Sequence, residues 1–150
     1  TIETERRKQM STGYAGAYLL DTSAILAYTG DEPGSDVIHA LLQSAGKGRC
    51  QVYISVITLM EACYKAWQRE GEESARLLYA RLTQLPAKQV ELDQDILWFA
   101  CEAKATSKLS MADAWILATA RRYNATLVHK DPEFEQLQHQ VTLLALPYKG

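Results

Sequence analysis

Short apolar segments alternate with longer amphipathic segments along most of this 150-residue chain. The amphipathic segments repeat their apolar residues at helical spacing, whereas the short segments are rich in β-branched and apolar residues. Parallel strands need long crossover connections, which are usually helices, so this alternation predicts an α/β fold with a parallel sheet. The predicted strands lie near residues 17–20, 50–56, 88–92, 126–129 and 141–146.

The predicted helices have recognisable starts and stops. Ser35 or Asp36 is suited to cap the helix that carries Val37, Ile38, Leu41 and Leu42. Residues 72–85 form a second helix that ends at a proline, and its predicted buried stripe comprises Leu77, Leu78, Leu82 and Leu85. Residues 110–123 form the clearest helix. Asn124 is suited to the left-handed conformation that closes it.

The length suits one domain with one core. Residues 1–9 are polar and charged, so we expect residues 1–14 to form a flexible extension and residues 15–150 to form the folded domain. Three widely spaced cysteines without a CxxC pair are expected to be reduced core residues of a cytoplasmic protein. There is no signal-peptide pattern, and no apolar run has the length that spans a membrane. A formal net charge of −2 does not indicate nucleic-acid binding by bulk electrostatics.

Asp21 is the first candidate functional residue. It follows directly on the apolar run of residues 17–20, at the predicted carboxyl end of a buried strand. Open α/β sheets bind their ligands at that end of the strands. A buried strand end also disfavours an unpaired charge, so a carboxylate at this place needs an explanation.

Three further acids occupy similar positions. Glu61 lies one turn into the helix after the second strand, Asp113 lies in the first turn of its helix, and Asp131 follows the fourth strand. With Asp21 they form a candidate carboxylate cluster, and clustered carboxylates either hold protons at raised pKa or bind a cation. Oxygen ligands suit Mg²⁺ or Mn²⁺, which can activate a water for phosphodiester cleavage.

Each of these three acids also has a purely structural alternative. Asp113 stands at the S-x-x-D spacing of a capping box, and Asp131 precedes a proline and could be a plain N-cap. Glu61 could pair with Lys65 one turn later on the same helix. The local pattern alone leaves both interpretations open.

Four segments carry these acids in a particular order and spacing. They are LLDTSAIL (residues 19–26), SVITLMEA (55–62), SMADAWILATA (110–120) and TLVHKDPEF (126–134). D-T-S alone is common, but four such segments in order, closed by D-x-x-F, form a specific pattern. From Tyr18 to its end the chain resembles the PIN-domain nucleases, and among them the small VapC-type toxins of bacterial toxin–antitoxin pairs.

This resemblance implies a three-layer α/β/α fold with a central parallel sheet of four to five strands. It implies an endoribonuclease that hydrolyses phosphodiester bonds of structured RNA, either tRNA or rRNA, and acts as a toxin. It also implies a homodimer and a small VapB-like antitoxin whose tail blocks the cleft. Ser23, or Thr22, would be the hydroxyl that supports the site. One or two Mg²⁺ or Mn²⁺ ions would be bound by Asp21, Glu61, Asp113 and Asp131.

Two positions depart from the family pattern. His129 stands where the family often has Thr, two residues before its last Asp, and Asn124 stands where a Gly is usual.

Basic residues near predicted strand ends and helix starts are candidates for phosphate contacts, namely Lys47, Arg49, Lys65, Arg69, Lys104 and Lys108. The tryptophans are expected to pack in the core or at a dimer interface and not to stack on bases; they are Trp67, Trp98 and Trp115.

Two other functions fit parts of the pattern. A phosphatase of the haloacid dehalogenase type also begins with an aspartate after a strand, but it usually needs a second Asp two residues later, where this chain has Ser23. A catalytically silent PIN-like module would bind RNA or a protein partner without cleaving it. The presence of all four acids disfavours this second alternative.

Overall fold

The computed structural model describes residues 14–148 together with Ile2. The predicted extension over residues 1–14 lies almost wholly outside these residues. Its last residue, Tyr14, is buried and packs edge-on against Tyr18, with 5.7 Å between the ring centroids. Within the described residues, no helix is long and apolar enough to cross a membrane.

Five parallel strands form one sheet in the order β3-β2-β1-β4-β5, which confirms the predicted parallel sheet. In the central strand, Leu20 pairs with Ile54 on one side and with Val128 on the other. The strand order reverses beside this central strand, because the chain builds outward to β3 on one side and later to β5 on the other. Such a reversal leaves a crevice at the carboxyl ends of the two strands that flank it. The strands are β1 Gly16–Leu20, β2 Cys50–Ser55, β3 Lys88–Val90, β4 Thr126–His129 and β5 Leu143–Ala145.

Helices cover both faces of the sheet and complete three layers. Side chains alternate between the faces along β1, so Leu20 joins the cluster that holds Ile25 and Ile38, whereas Leu19 joins the cluster that holds Leu117. The predicted three-layer α/β/α architecture is therefore confirmed. The helices are α1 Thr22–Thr29, α2 Ser35–Gly46, α3 Val56–Glu70, α4 Glu72–Thr83, α5 Gln94–Thr106, α6 Met111–Arg122 and a 3₁₀ helix Pro132–Leu137.

One predicted helix cap is wrong. Neither Ser35 nor Asp36 caps α2, because its N-cap is Gly34, which has a φ of 103° and no capping side chain. A Cβ at this glycine would lie 3.0 Å from the Cβ of Leu146, so the close approach of the C-terminal segment requires glycine. The Ser35 hydroxyl donates instead to Asp31 Oδ1, at 3.1 Å. Asn124 is left-handed as predicted, with a φ of 48°.

The buried stripe of α4 also differs from the prediction. Leu77 is 63% exposed, and the helix buries Ala75 and Leu82 instead. These two buried residues are seven positions apart and share one helical face with Leu78, whereas Leu77 lies off that face. The predicted apolar stripe was therefore too wide.

Several residues expected in the core are at the surface. Trp67 is 50% exposed and Trp98 is 64% exposed, so neither packs in the core of this chain. The three cysteines are free thiols as expected, but Cys101 is exposed and the other two are only partly buried. Side chains on the outer faces of helices meet only solvent within a single chain, so apolar residue type alone does not decide their burial.

Candidate active site

Asp21 lies at the carboxyl end of β1, in the crevice where the strand order reverses. Its amide donates to the carbonyl of Val128 at 3.1 Å, which ties the ends of β1 and β4 together. The carboxylate caps α1, because Oδ1 accepts from the amide of Ala24 at 2.9 Å and from the hydroxyl of Ser23 at 2.7 Å. The side chain is nevertheless only 4% exposed. This burial raises the pKa of Asp21 to about 7, despite both hydrogen bonds, and the charges of Asp113 and Asp131 add to the effect.

The structure brings the other three predicted acids to the same region. Burial raises the pKa of Asp113, and the charges of Asp131, Glu61 and Glu133 raise it further. Glu61 is held by α1, because the hydroxyl of Thr22 donates to its Oε1 at 2.8 Å. The four carboxylates therefore share one electrostatic environment, although they come from four separate parts of the chain.

Two of the structural alternatives hold alongside this clustering. The hydroxyl of Ser110 accepts from the amide of Asp113 at 3.1 Å, and Asp131 Oδ1 accepts from the amide of Glu133 at 2.9 Å. Asp131 thus caps the 3₁₀ helix, whereas Asp113 stands in the first turn of α6, whose cap is Ser110. The predicted ion pair of Glu61 with Lys65 is not formed, because none of the ion pairs among residues 14–148 involves Glu61. Capping engages one carboxylate oxygen of Asp131 and leaves lone pairs for a further ligand.

Ser23 connects two strands through its hydroxyl. The amide of Lys130 donates to Ser23 Oγ at 2.8 Å, and that hydroxyl donates in turn to Asp21. The Lys130 ammonium donates to Glu32 Oε1 at 3.1 Å and to the carbonyl of Pro33 at 3.0 Å, and its side chain is 5% exposed. Lys130 therefore holds the end of β4 against both β1 and the loop after α1. Neither Lys130 nor Glu133 was predicted as part of the site; their only sequence signal is that they flank Asp131.

His129, the departure from the family pattern, is fully buried. Its Nδ1 lies 2.9 Å from the carbonyl oxygen and 3.3 Å from the amide nitrogen of Asp131, so the imidazole holds the backbone of that acid. The ring packs edge-on against Phe134 at 5.4 Å between centroids. Burial lowers the pKa of His129, which favours the neutral ring.

The donor chemistry of the cluster fits a hard divalent cation. Carboxylates that raise one another's pKa leave negative charge without compensation, and oxygen ligands of this type suit Mg²⁺ or Mn²⁺. Across residues 14–148, however, no three acidic, histidine or cysteine side chains are close enough to enclose an ion. Binding would therefore require the four carboxylates to converge further.

The predicted phosphate contacts are mostly surface residues. Lys47, Arg49, Arg69 and Lys108 are exposed. Lys104 has a structural contact, because its ammonium donates to the carbonyl of Leu109 at 2.7 Å and so ties α5 to the start of α6. Whether any of them contacts phosphate stays a prediction.

The fold and its acidic crevice define a parallel α/β domain with a candidate hydrolytic site at the point where the strand order reverses. The chain belongs to the PIN domain family, whose pattern it matches over residues 18–140. This match supersedes the alternative of a haloacid dehalogenase phosphatase. None of the curated proteins matches the chain.

Solved structures share the fold at low sequence identity. VapBC2 from Rickettsia felis, bound to a DNA fragment from its promoter, is 18% identical with a TM-score of 0.71, covering 87% of this chain and 99% of its own. VapBC-1 from Haemophilus influenzae is 19% identical with a TM-score of 0.68, and the match covers 86% of this chain and 97% of that chain. VapC20 from Mycobacterium tuberculosis, a toxin that cleaves the sarcin–ricin loop, is 19% identical with a TM-score of 0.62. The match covers 87% of this chain and 99% of that chain.

Proposed function

We propose that this protein is a metal-dependent endoribonuclease that acts as the toxin of a toxin–antitoxin pair in the cytoplasm. The observation that carries the proposal is that four electrostatically coupled carboxylates lie near the point where the strand order reverses, and that one of them, Asp21, is buried at the end of the central strand. Bound Mg²⁺ or Mn²⁺ would supply an activated water and stabilise the leaving oxygen of a phosphodiester. The residues that would hold the ion are Asp21, Glu61, Asp113 and Asp131.

The hydroxyls beside the first acid have separate positioning roles in this proposal. Ser23 orients Asp21, and Thr22 orients Glu61, through the hydrogen bonds of 2.7 and 2.8 Å. Each hydroxyl thereby restricts the rotamers of a carboxylate before the ion binds, which lowers the entropic cost of assembling the ligand set.

The neighbours in fold support the substrate class and the partner. One is a toxin that cleaves the sarcin–ricin loop, and others were solved as VapBC complexes, so we propose structured RNA (tRNA or rRNA) as the substrate and a VapB-like antitoxin as the partner. We also propose a homodimer. Exposed apolar side chains spaced along α3 offer surface that a protein partner would cover, namely Val56, Met60, Tyr64 and Trp67.

The experiment is cleavage of total RNA by antitoxin-free protein with Mg²⁺ or Mn²⁺, repeated with EDTA. Asp21→Asn is the test variant, and Asp36→Asn, at an exposed position on α2, is the matched control. We expect discrete fragments from the wild type and the control, which disappear with EDTA and in Asp21→Asn. Equal cleavage by wild type and Asp21→Asn would contradict the proposed site. No cleavage with any metal would favour the silent binding module.

A further inference from the structure

Two basic residues follow Glu61 along one face of α3. Lys65 comes one turn after Glu61, and Arg69 comes one turn after Lys65. Residues four positions apart lie on the same side of a helix, and each such step advances about 6 Å along the helix axis. Lys65 is partly buried and Arg69 is exposed. We call Lys65 and Arg69 the basic stripe, and it begins next to the acid cluster.

The basic stripe is not neutralised within the part of the chain that the structure describes. None of the ion pairs and side-chain hydrogen bonds among residues 14–148 involves either of its residues. The carboxylate of Glu61 accepts from Thr22 at 2.8 Å and forms no ion pair with Lys65. The other basic residues that are not fully exposed, Arg121 and Lys130, each have an acidic partner. Lys65 therefore offers an uncompensated positive charge to a ligand.

The position of Lys65 suits a phosphate of an RNA strand. Within four positions of the four acids along the chain, the basic residues are Lys65 and Lys130. Lys130 already donates to Glu32 and to the carbonyl of Pro33, and its side chain is only 5% exposed. Helical side chains lean toward the N-terminus of their helix, so that of Lys65 leans toward the turn that holds Glu61. A cation there offsets the repulsion between the carboxylates and an approaching phosphate.

The basic stripe is separate from the apolar surface of α3. Met60, Tyr64 and Trp67 are exposed, and each is about 100° or more away from Lys65 around the helix axis. A protein partner that covers these apolar side chains would leave the basic stripe to another ligand. The step of about 6 Å from Lys65 to Arg69 is comparable to the distance between successive phosphates of an RNA strand, and basic residues that follow the backbone are typical of single-strand binding.

We propose that the basic stripe binds two successive phosphates of the RNA substrate. Lys65 binds the phosphate beside the bond that the acid cluster cleaves, and Arg69 binds the next one, so the strand leaves the site along α3. The inference rests on the proposed nuclease function and adds the path of the substrate to it.

The first test is binding of a fluorescein-labelled, twelve-nucleotide single-stranded RNA in EDTA, measured by fluorescence anisotropy at several KCl concentrations. Removing one phosphate contact should lower the slope of log Kd against log salt concentration by about 0.7, so we expect this change in Lys65→Gln and in Arg69→Gln. Lys65→Arg should keep the wild-type slope. Lys47→Gln is the matched control, because it removes the same charge from an exposed residue between α2 and the amino end of β2, away from the acids. Equal slopes in Lys65→Gln and Lys47→Gln, or no binding by wild type, would overturn the basic stripe.

Cleavage of total RNA with Mn²⁺ separates this inference from the nuclease proposal. Lys65→Gln should raise KM roughly 10-fold with kcat little changed, because the lost contact binds substrate and transition state alike. A changed Mn²⁺ affinity with an unchanged salt slope would show that Lys65 only balances the charge of Glu61, and would overturn the inference. Salt slopes as expected without any cleavage would retain the basic stripe and reject the nuclease. Metal-dependent cleavage with equal slopes in all variants would do the reverse.

Discussion

The amide of Lys130 lies 2.8 Å from the hydroxyl of Ser23, although the two residues are 107 positions apart in the chain. The same Ser23 hydroxyl donates a second hydrogen bond, of 2.7 Å, to the carboxylate of Asp21. The central strand β1 and its neighbour β4 are thus joined at the point where the candidate site lies. The same contact satisfies a backbone donor and orients a buried carboxylate.

Replacing Ser23 by alanine should destabilise the protein. The substitution leaves the amide of Lys130 without its acceptor and removes one donor from Asp21, so we expect the free energy of unfolding to fall by about 1–3 kcal/mol. Urea denaturation measures this change. Ser35→Ala is the control, because that hydroxyl bonds to Asp31 at an exposed place, and its effect should stay within about 0.5 kcal/mol. Equal effects of the two substitutions would contradict the structural role of Ser23.

The stability of the metal-free protein should depend on the charge of Asp21. Its pKa is raised from 3.8 to about 7, so between these values the folded protein holds a proton that the unfolded chain has released. The free energy of unfolding therefore falls as pH rises from about 4 to about 7. Asp21→Asn should reduce this slope to the part that the raised pKa of Asp113 contributes, and should stabilise the metal-free protein at pH 8 by on the order of 2–4 kcal/mol.

Denaturation curves at several pH values, recorded with EDTA, provide the measurement. Asp36→Asn is the control, since it carries the same chemical change on an exposed part of α2 and should keep the wild-type slope. If wild type and Asp21→Asn showed parallel pH profiles, Asp21 would not be the source of the dependence.

Divalent metal should raise the melting temperature of the wild type. A ligand that binds only the folded state stabilises it by mass action, and we propose that the ion also neutralises the repulsion among the four carboxylates. Differential scanning fluorimetry with increasing Mn²⁺ should show a rise in Tm that EDTA reverses. The rise should be small or absent in Asp21→Asn. A similar rise in both proteins would place metal binding elsewhere.

The two leucines of α4 that were predicted alike should respond differently to truncation. Leu82 is 2% exposed and packs in the core that covers one face of the sheet, so Leu82→Ala should cost about 2–4 kcal/mol of the free energy of unfolding. Leu77 is 63% exposed, and Leu77→Ala should cost less than about 1 kcal/mol. Urea denaturation of both variants decides the matter, and comparable losses would indicate that the orientation of α4 is wrong.

Local sequence was sufficient to predict the parallel α/β fold. Alternating strand and helix patterns admit few other arrangements, and the cap at Ser110 follows from the S-x-x-D spacing, because its side chain accepts from the amide of Asp113. The position of the four acids at strand ends and helix starts was also readable from the chain, because the carboxyl edge of a parallel sheet collects such residues.

Tertiary structure alone decided which groups support those acids and which apolar residues are buried. The bond from Lys130 to Ser23, the ion pair of Lys130 with Glu32 and the contact of Thr22 with Glu61 each span more than 35 positions, and no local pattern encodes such contacts. The N-cap of α2 is Gly34 and not the expected Ser35 or Asp36, and the C-terminal segment passes too close to this position for a side chain. Residue type and spacing set local conformation, whereas burial and electrostatic environment depend on what the rest of the chain places nearby.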